Sequence, residues 1–199
     1  MRTLLATFFL AATLPVLSHA GVVSCTSVPA NLVANCGFET GDFTSWITGD
    51  NAGFNGVSTG FDGYLPNTGT YFAYLGPVGS DDTLSQILAT IPGVTYTISW
   101  YLGSDGGTPN DFSATWGGTS IFSQTNLPGT DGGYNLYTFS EVATSNSTNL
   151  TFGFRDDPGY LALDDVSVTS GSSAPEPGAL ALLSAGLLGM ALLRRRRSA

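Results

Sequence analysis

The chain has no lysine, and its one histidine, His19, lies among the first twenty residues. Five of its six basic residues sit at the extreme ends, Arg2 and Arg194 to Arg197, leaving Arg155 alone between them. These shortages exclude whole classes of function. Nucleic-acid binding needs a positive surface, which is missing, and anionic lipid headgroups are poor partners for the same reason. A Ser–His or Cys–His nucleophile needs an imidazole base that the body of the chain does not supply. Zinc sites draw on histidine and cysteine, and there are only two cysteines, Cys25 and Cys36. The glycine-rich stretches have neither the dinucleotide nor the phosphate-loop spacing. Carboxylates are plentiful and come in adjacent pairs, Asp81-Asp82, Asp156-Asp157 and Asp164-Asp165. Neighbouring strand residues point to opposite faces, so these pairs are not the two facing carboxyls of a glycosidase. The expectation is a protein that is not an enzyme.

The two ends read as addresses. Arg2, the apolar residues 4–17 and the small-x-small triplet Ser18-His19-Ala20 have the build of a secretory signal peptide (1–20), with the mature chain starting at Gly21. At the other end stand Pro175-Glu176-Pro177, an uncharged run rich in Leu, Ala and Gly at 178–193, and Arg194, Arg195, Arg196 and Arg197. The run suits a transmembrane helix, although about 24 Å at about 1.5 Å per residue is short for a hydrocarbon core. The arginines favour the cytoplasmic side, which places everything before Pro175 outside. In this order the three parts resemble the PEP-CTERM sorting signal. That resemblance implies Sec-dependent export, a transient inner-membrane intermediate, and cleavage near Pro-Glu-Pro by an exosortase. Exosortases are membrane proteases of Gram-negative bacteria that also make exopolysaccharide. The destination would be the cell surface or the biofilm matrix. A plain single-pass anchor is the alternative.

Between the ends, residues 21–169 form one domain's length, followed by a linker at 170–174. All fifteen acidic residues fall in 21–177 against Arg155 alone, a net charge near −14 where the whole chain carries −9. Such a surface suits calcium, or simply solubility. An even pair of cysteines in an exported chain reads as one disulfide, Cys25 to Cys36. Strand signals dominate. Val94, Tyr96, Ile98 and Trp100 alternate with Thr95, Thr97, Ser99 and Tyr101, after a Pro92-Gly93 turn. Residues 70–75 and 83–91 are further strands. Phe112, Ala114 and Trp116 alternate into a Gly117-Gly118 hairpin turn. Tyr137 and Phe139, then Leu150, Phe152 and Phe154, mark two more. In Leu161-Ala162-Leu163-Asp164-Asp165-Val166-Ser167-Val168 the apolar parity slips at the two aspartates, which predicts a bulge. Residues 49–69 have loop composition. With eight to nine strands and no amphipathic helix, the class is all-β, a two-sheet sandwich.

Asn31-Leu32-Val33-Ala34-Asn35-Cys36-Gly37-Phe38-Glu39, followed by Gly41 and Trp46, resembles the opening of carbohydrate-binding-module-like, galactose-binding-like jelly rolls. Ser85-Gln86 and the closing Leu163-Asp164-Asp165-Val166-Ser167-Val168 resemble the same group. The resemblance implies a non-catalytic polysaccharide-binding sandwich; a structural or adhesive matrix protein without a small ligand is the alternative. Aromatic platforms for sugar rings are Tyr64, Tyr101, Trp116, Tyr134 and Tyr160. Phe54, Phe61 and Tyr64 sit in the 49–69 loop, as such platforms or as plugs over the sandwich. The resemblance further implies a structural calcium held by Glu39 and by Asp164 or Asp165, with Asn67 as a polar ligand. An Asp164–Arg155 ion pair is the alternative use of those carboxylates.

Overall fold

A computed structural model describes residues 22–157 and 159–171. The expected signal peptide 1–20, Pro175-Glu176-Pro177, the apolar run 178–193 and Arg194 to Arg197 lie outside the described residues. Ten strands follow in order: β1 (Ile47–Thr48), β2 (Asn55–Ser58), β3 (Phe72–Leu75), β4 (Asp82–Ala89), β5 (Thr95–Ser104), β6 (Asn110–Trp116), β7 (Thr119–Thr125), β8 (Asn135–Val142), β9 (Ser147–Asp156) and β10 (Leu161–Ser170). The helices among the described residues are two 3-10 turns, Cys25–Ser27 and Ala52–Phe54, and no described helix is long and apolar enough to cross a membrane.

The strands form two five-stranded antiparallel sheets, ordered β1-β4-β9-β6-β7 (sheet A) and β2-β3-β10-β5-β8 (sheet B). The expected all-β sandwich is present. Each sheet turns one face inward because alternate residues are apolar. From β5 come Tyr96, Ile98, Trp100 and Leu102; from β9, Leu150, Phe152 and Phe154; from β6, Phe112, Ala114 and Trp116. Trp100 is the hub, with Phe112, Phe122, Tyr137, Phe139 and Phe152 all within 6.2 Å of its ring centre. Of these, the fully buried rings of Trp100, Phe112 and Phe152 each contribute about 1.5–3 kcal/mol by burial. The Gly117-Gly118 turn lies as predicted, Trp116 pairing with Thr119 across it. The 49–69 stretch is not wholly loop, since β2 pairs with β3 from Asn55–Leu75 to Ser58–Phe72. Its glycine-rich composition hid a strand whose residues are only half buried.

One region departs from simple sheet pairing. β3 accompanies β10 only along Leu161 to Leu163. Beyond that point the opening segment runs beside β10: Leu32 N donates to Val168 O and Val166 N to Cys36 O, each at 2.9 Å. The same segment reaches sheet A, where the Gln86 side-chain amide exchanges two hydrogen bonds with the Ala34 backbone, at 2.8 and 3.0 Å. The Cys25–Cys36 disulfide closes this segment with a Cα–Cα distance of 6.0 Å, as the cysteine count predicts.

Candidate functional site

The predicted slip in β10 is a real bulge. Register breaks between Asp164 and Ser167, and Asp165 takes a left-handed φ of 50°. Both carboxylates are buried, Asp164 at 0% and Asp165 at 3% exposure. Asp164 Oδ2 accepts from Asn67 N at 2.9 Å and Thr68 N at 3.3 Å, and its Oδ1 accepts from Asp165 N at 2.7 Å. Asp165 accepts from Cys25 N, from Asn67 Nδ2 and from the Thr68 hydroxyl. The bulge thus ties together the disulfide segment, the 59–71 loop and sheet B. Burial first, and the Asp165 charge second, outweigh the amide donors and push Asp164 up to about 8.

Glu39 stands at the rim of the same place. Its carboxylate accepts from Thr70 N and Tyr71 N at 3.0 to 3.2 Å. Gly37 is flanked by both acids: a Cβ built on it would meet Asp164 Oδ1 at 3.4 Å and Glu39 Cγ at 3.7 Å. Gly69, at φ +69°, sits in the left-handed region that favours glycine, with the Glu39 carboxylate close above its Cα. The structure therefore gathers Glu39, Asn67, Asp164 and Asp165 as a neighbourhood. Asp165 is turned toward Cys25 and Thr68, and Asn67 offers Asp165 its amide nitrogen. Among the described residues no three His, Cys, Asp or Glu side chains converge closely enough to cage an ion. The ion-pair alternative is overturned, because Arg155 pairs with Asp157 through Nε and Nη2. That pair and the Gly79 amide hold Asp157 down at about 2. Arg155 is the only basic residue between positions 22 and 171, so no cationic side chain answers the two buried aspartates.

The aromatic residues divide into core and surface. Trp116 is 4% exposed and packs on Tyr96 inside the sandwich, so it offers no platform. Its alternation with Phe112 and Ala114 already placed it on the buried face. Tyr64 is 3% exposed; its hydroxyl bonds Thr130 at 3.0 Å, and it lies over Gly103 with Phe72 and Ala162 beneath the 59–71 loop. It plugs the outer face of sheet B rather than presenting a ring. Tyr134 is half-buried, edge-on to Tyr64, and donates to Leu65 O. Burial pushes its phenol well above the usual range. Tyr101 is half-buried on the same outer face, beside a cavity of about 210 Å³ with Val23, Leu136 and Asp165 among its walls.

Tyr160 belongs to a cluster that sequence reasoning only half found. Phe61 stacks on Tyr74 with ring centres 4.1 Å apart, and Tyr160 stands edge-on to both, at 4.7 and 5.7 Å. All three are half-buried. Glycines make room for them: Gly56 lies under the Tyr74 hydroxyl and Gly76 under the Tyr160 ring, where built Cβ atoms would come within 2.3 and 2.4 Å. Tyr74 was legible as outward-facing, because Ala73 and Leu75 on either side of it are core residues.

Comparison with known proteins adds to this geometry. Residues 173–197 match the family described as the PEP-CTERM protein-sorting motif. No curated protein matches the chain. Among solved structures, the sandwich resembles TmCBM61 in complex with β-1,4-galactotriose, with a TM-score of 0.55 and 18% identity over 71% of this chain and 99% of that one. It resembles the CBM22-1 xylan-binding domain of Paenibacillus barcinonensis Xyn10C, with a TM-score of 0.52 and 15% identity over 74% of this chain and 100% of that one. It also resembles the K3 cleaved adhesin domain of Lys-gingipain from Porphyromonas gingivalis, with a TM-score of 0.51 and 19% identity over 69% of this chain and 99% of that one. The chain thus carries a match to the PEP-CTERM sorting motif behind a two-sheet sandwich whose fold is similar to that of carbohydrate-binding-module jelly rolls.

Proposed function

We propose that this is an exported, non-catalytic polysaccharide-binding sandwich, cut from its anchor by an exosortase and delivered to the surface or extracellular matrix of a Gram-negative bacterium. The sorting motif supports the route. The observation that carries the binding reading is the half-buried Phe61–Tyr74–Tyr160 cluster at the surface of a sandwich of this type. Ring faces stack on the apolar faces of pyranoses, and such aromatic anchors dominate recognition surfaces. Polar groups at the cluster's edge, Asp105 beside Gly159 and the Tyr74 hydroxyl, would orient sugar hydroxyls. Calcium is part of this reading. Glu39 and Asp164 on either side of Gly37, with backbone carbonyls, would hold it, and the ion would offset two buried acids that no basic side chain answers. A glycan array probed with the protein tests the function. Retention on a polysaccharide supports it. Retention on none favours a second reading, a structural or adhesive matrix protein, for which the mutual packing of the three rings speaks.

A further inference from the structure

The Phe61 cluster and the β10 bulge leave one acidic feature unused. Where the turn after β1 meets the start of β4, Gly49, Asp50, Asn51, Ser80, Asp81, Asp82 and Thr83 wall an open pocket of about 460 Å³. Asp50 and Asp81 are exposed, whereas Asp82 is 3% exposed and turns inward. Its Oδ2 accepts from Asn55 Nδ2 at 2.6 Å, and Asn55 Oδ1 is in turn fixed by Gly76 N at 3.1 Å. Its Oδ1 has no hydrogen-bond partner. That oxygen lies directly against Gly49 in the pocket wall, where a built Cβ would come within 2.1 Å of it and 2.9 Å of the Thr83 hydroxyl. A buried carboxylate oxygen without a partner is costly, and nothing basic stands among the pocket's walls to repay it.

We propose that this pocket is a binding site for a divalent cation of the calcium type, separate from the Glu39–Asp164 neighbourhood. The lining residues offer carboxylate, hydroxyl and amide oxygens and neither thiol nor imidazole, which selects a hard cation over a transition metal. Asp82 Oδ1 is the anchor, held in aim by Asn55 as an outer ligand partner. Asp50 or Asp81 adds the second charge, and Ser80, Asn51 and Thr83 offer neutral oxygens. No third acid converges, so the ion keeps several waters and binds weakly, in the ~10⁻⁴–10⁻³ M range of extracellular calcium modules. Gly49 is glycine because the carboxylate needs the space above its Cα.

Calcium titration calorimetry on the full-length protein in detergent tests this, comparing wild type with Asp82→Asn and with the double variant Asp50→Asn/Asp81→Asn. The wild type is expected to show a class of site with a Kd of about 0.1–1 mM, lost in both variants. Asp50 and Asp81 are exposed, so the double variant keeps its fold and decides the matter if Asp82→Asn does not melt cooperatively. A weak class that survives in the double variant, or a wild type without one, overturns the proposal.

Discussion

The buried aspartate pair gives the most quantitative prediction. Asp164 is held near 8, burial being the larger cause and the Asp165 charge the next, while an unfolded aspartate titrates near 3.9. Without metal, the folded chain therefore keeps a proton on the pair between about pH 4 and 8 that the unfolded chain has released. Stability is then fully present below about pH 4 and falls as pH rises toward 8. By pH 7 about three pH units separate it from the unfolded value, or about 4 kcal/mol at about 1.4 kcal/mol each. For a chain of this size that is on the order of 10 °C in Tm. Calcium acts in the opposite sense, because it would bind ionised Asp164 and displace its proton. Its stabilisation should grow with pH, reaching about 2.7 kcal/mol at a hundredfold excess over Kd. The assay is thermal unfolding from pH 4.5 to 8.5 with chelator and with calcium. Asp156, raised to about 7 by burial and by Asp105, adds a slope of the same sign. Asp164→Asn separates the two, removing the larger part of the slope and the calcium response while the Asp156 part remains. A chelated Tm that is level or rising from pH 5 to 8 would refute the reasoning.

Three further outcomes follow from the same structure. Reducing Cys25–Cys36, or replacing both with serine, should cost about 2–3 kcal/mol, read as a lower denaturation midpoint, because the bridge pins the segment that pairs with β10 beyond β3. Phe152→Ala should cost about 3–5 kcal/mol, since its ring is fully buried against Trp100 and Phe112. Mass spectrometry of the released protein should find a chain ending near Pro177; intact protein that retains Arg194 to Arg197 outside the cell would contradict processing at the sorting motif.

What the sequence revealed follows from which physical signals are local. Alternation in Val94 to Tyr101 assigned Tyr96, Ile98 and Trp100 of β5 to the core, because a strand with one buried face must repeat every second residue. The slip after Leu163 announced the bulge for the same reason: two successive polar residues cannot both keep the period. Trp116 also obeyed the alternation, and reading it as a sugar platform ignored that signal. Tyr64 is a different case. Nothing local states that residues 59–71 fold back across sheet B, so its burial depends on a tertiary arrangement that composition does not encode. The Asp82 site is of the same kind, since Asn55, Gly49 and Asp82 meet only because β1, β2 and β4 converge at one end of the sandwich. The Asp164–Arg155 pair, the alternative to calcium in the sequence, rests on charge alone. The structure gives Arg155 the partner Asp157, two residues away on the same side of the chain, which spacing alone made the nearer choice.

The central claim is that the outer face of sheet B carries a sugar platform. Affinity gel electrophoresis in galactan, in xylan and in the producing cell's own exopolysaccharide tests it most directly, with the wild type run beside Phe61→Ala/Tyr160→Ala. Both residues are half-buried at the surface, so the double variant should melt close to the wild type. The account predicts retardation of the wild type in at least one of the gels, weakened at least tenfold in the variant, about 1.4 kcal/mol or more of binding energy. Equal migration of the two proteins in every gel would contradict it.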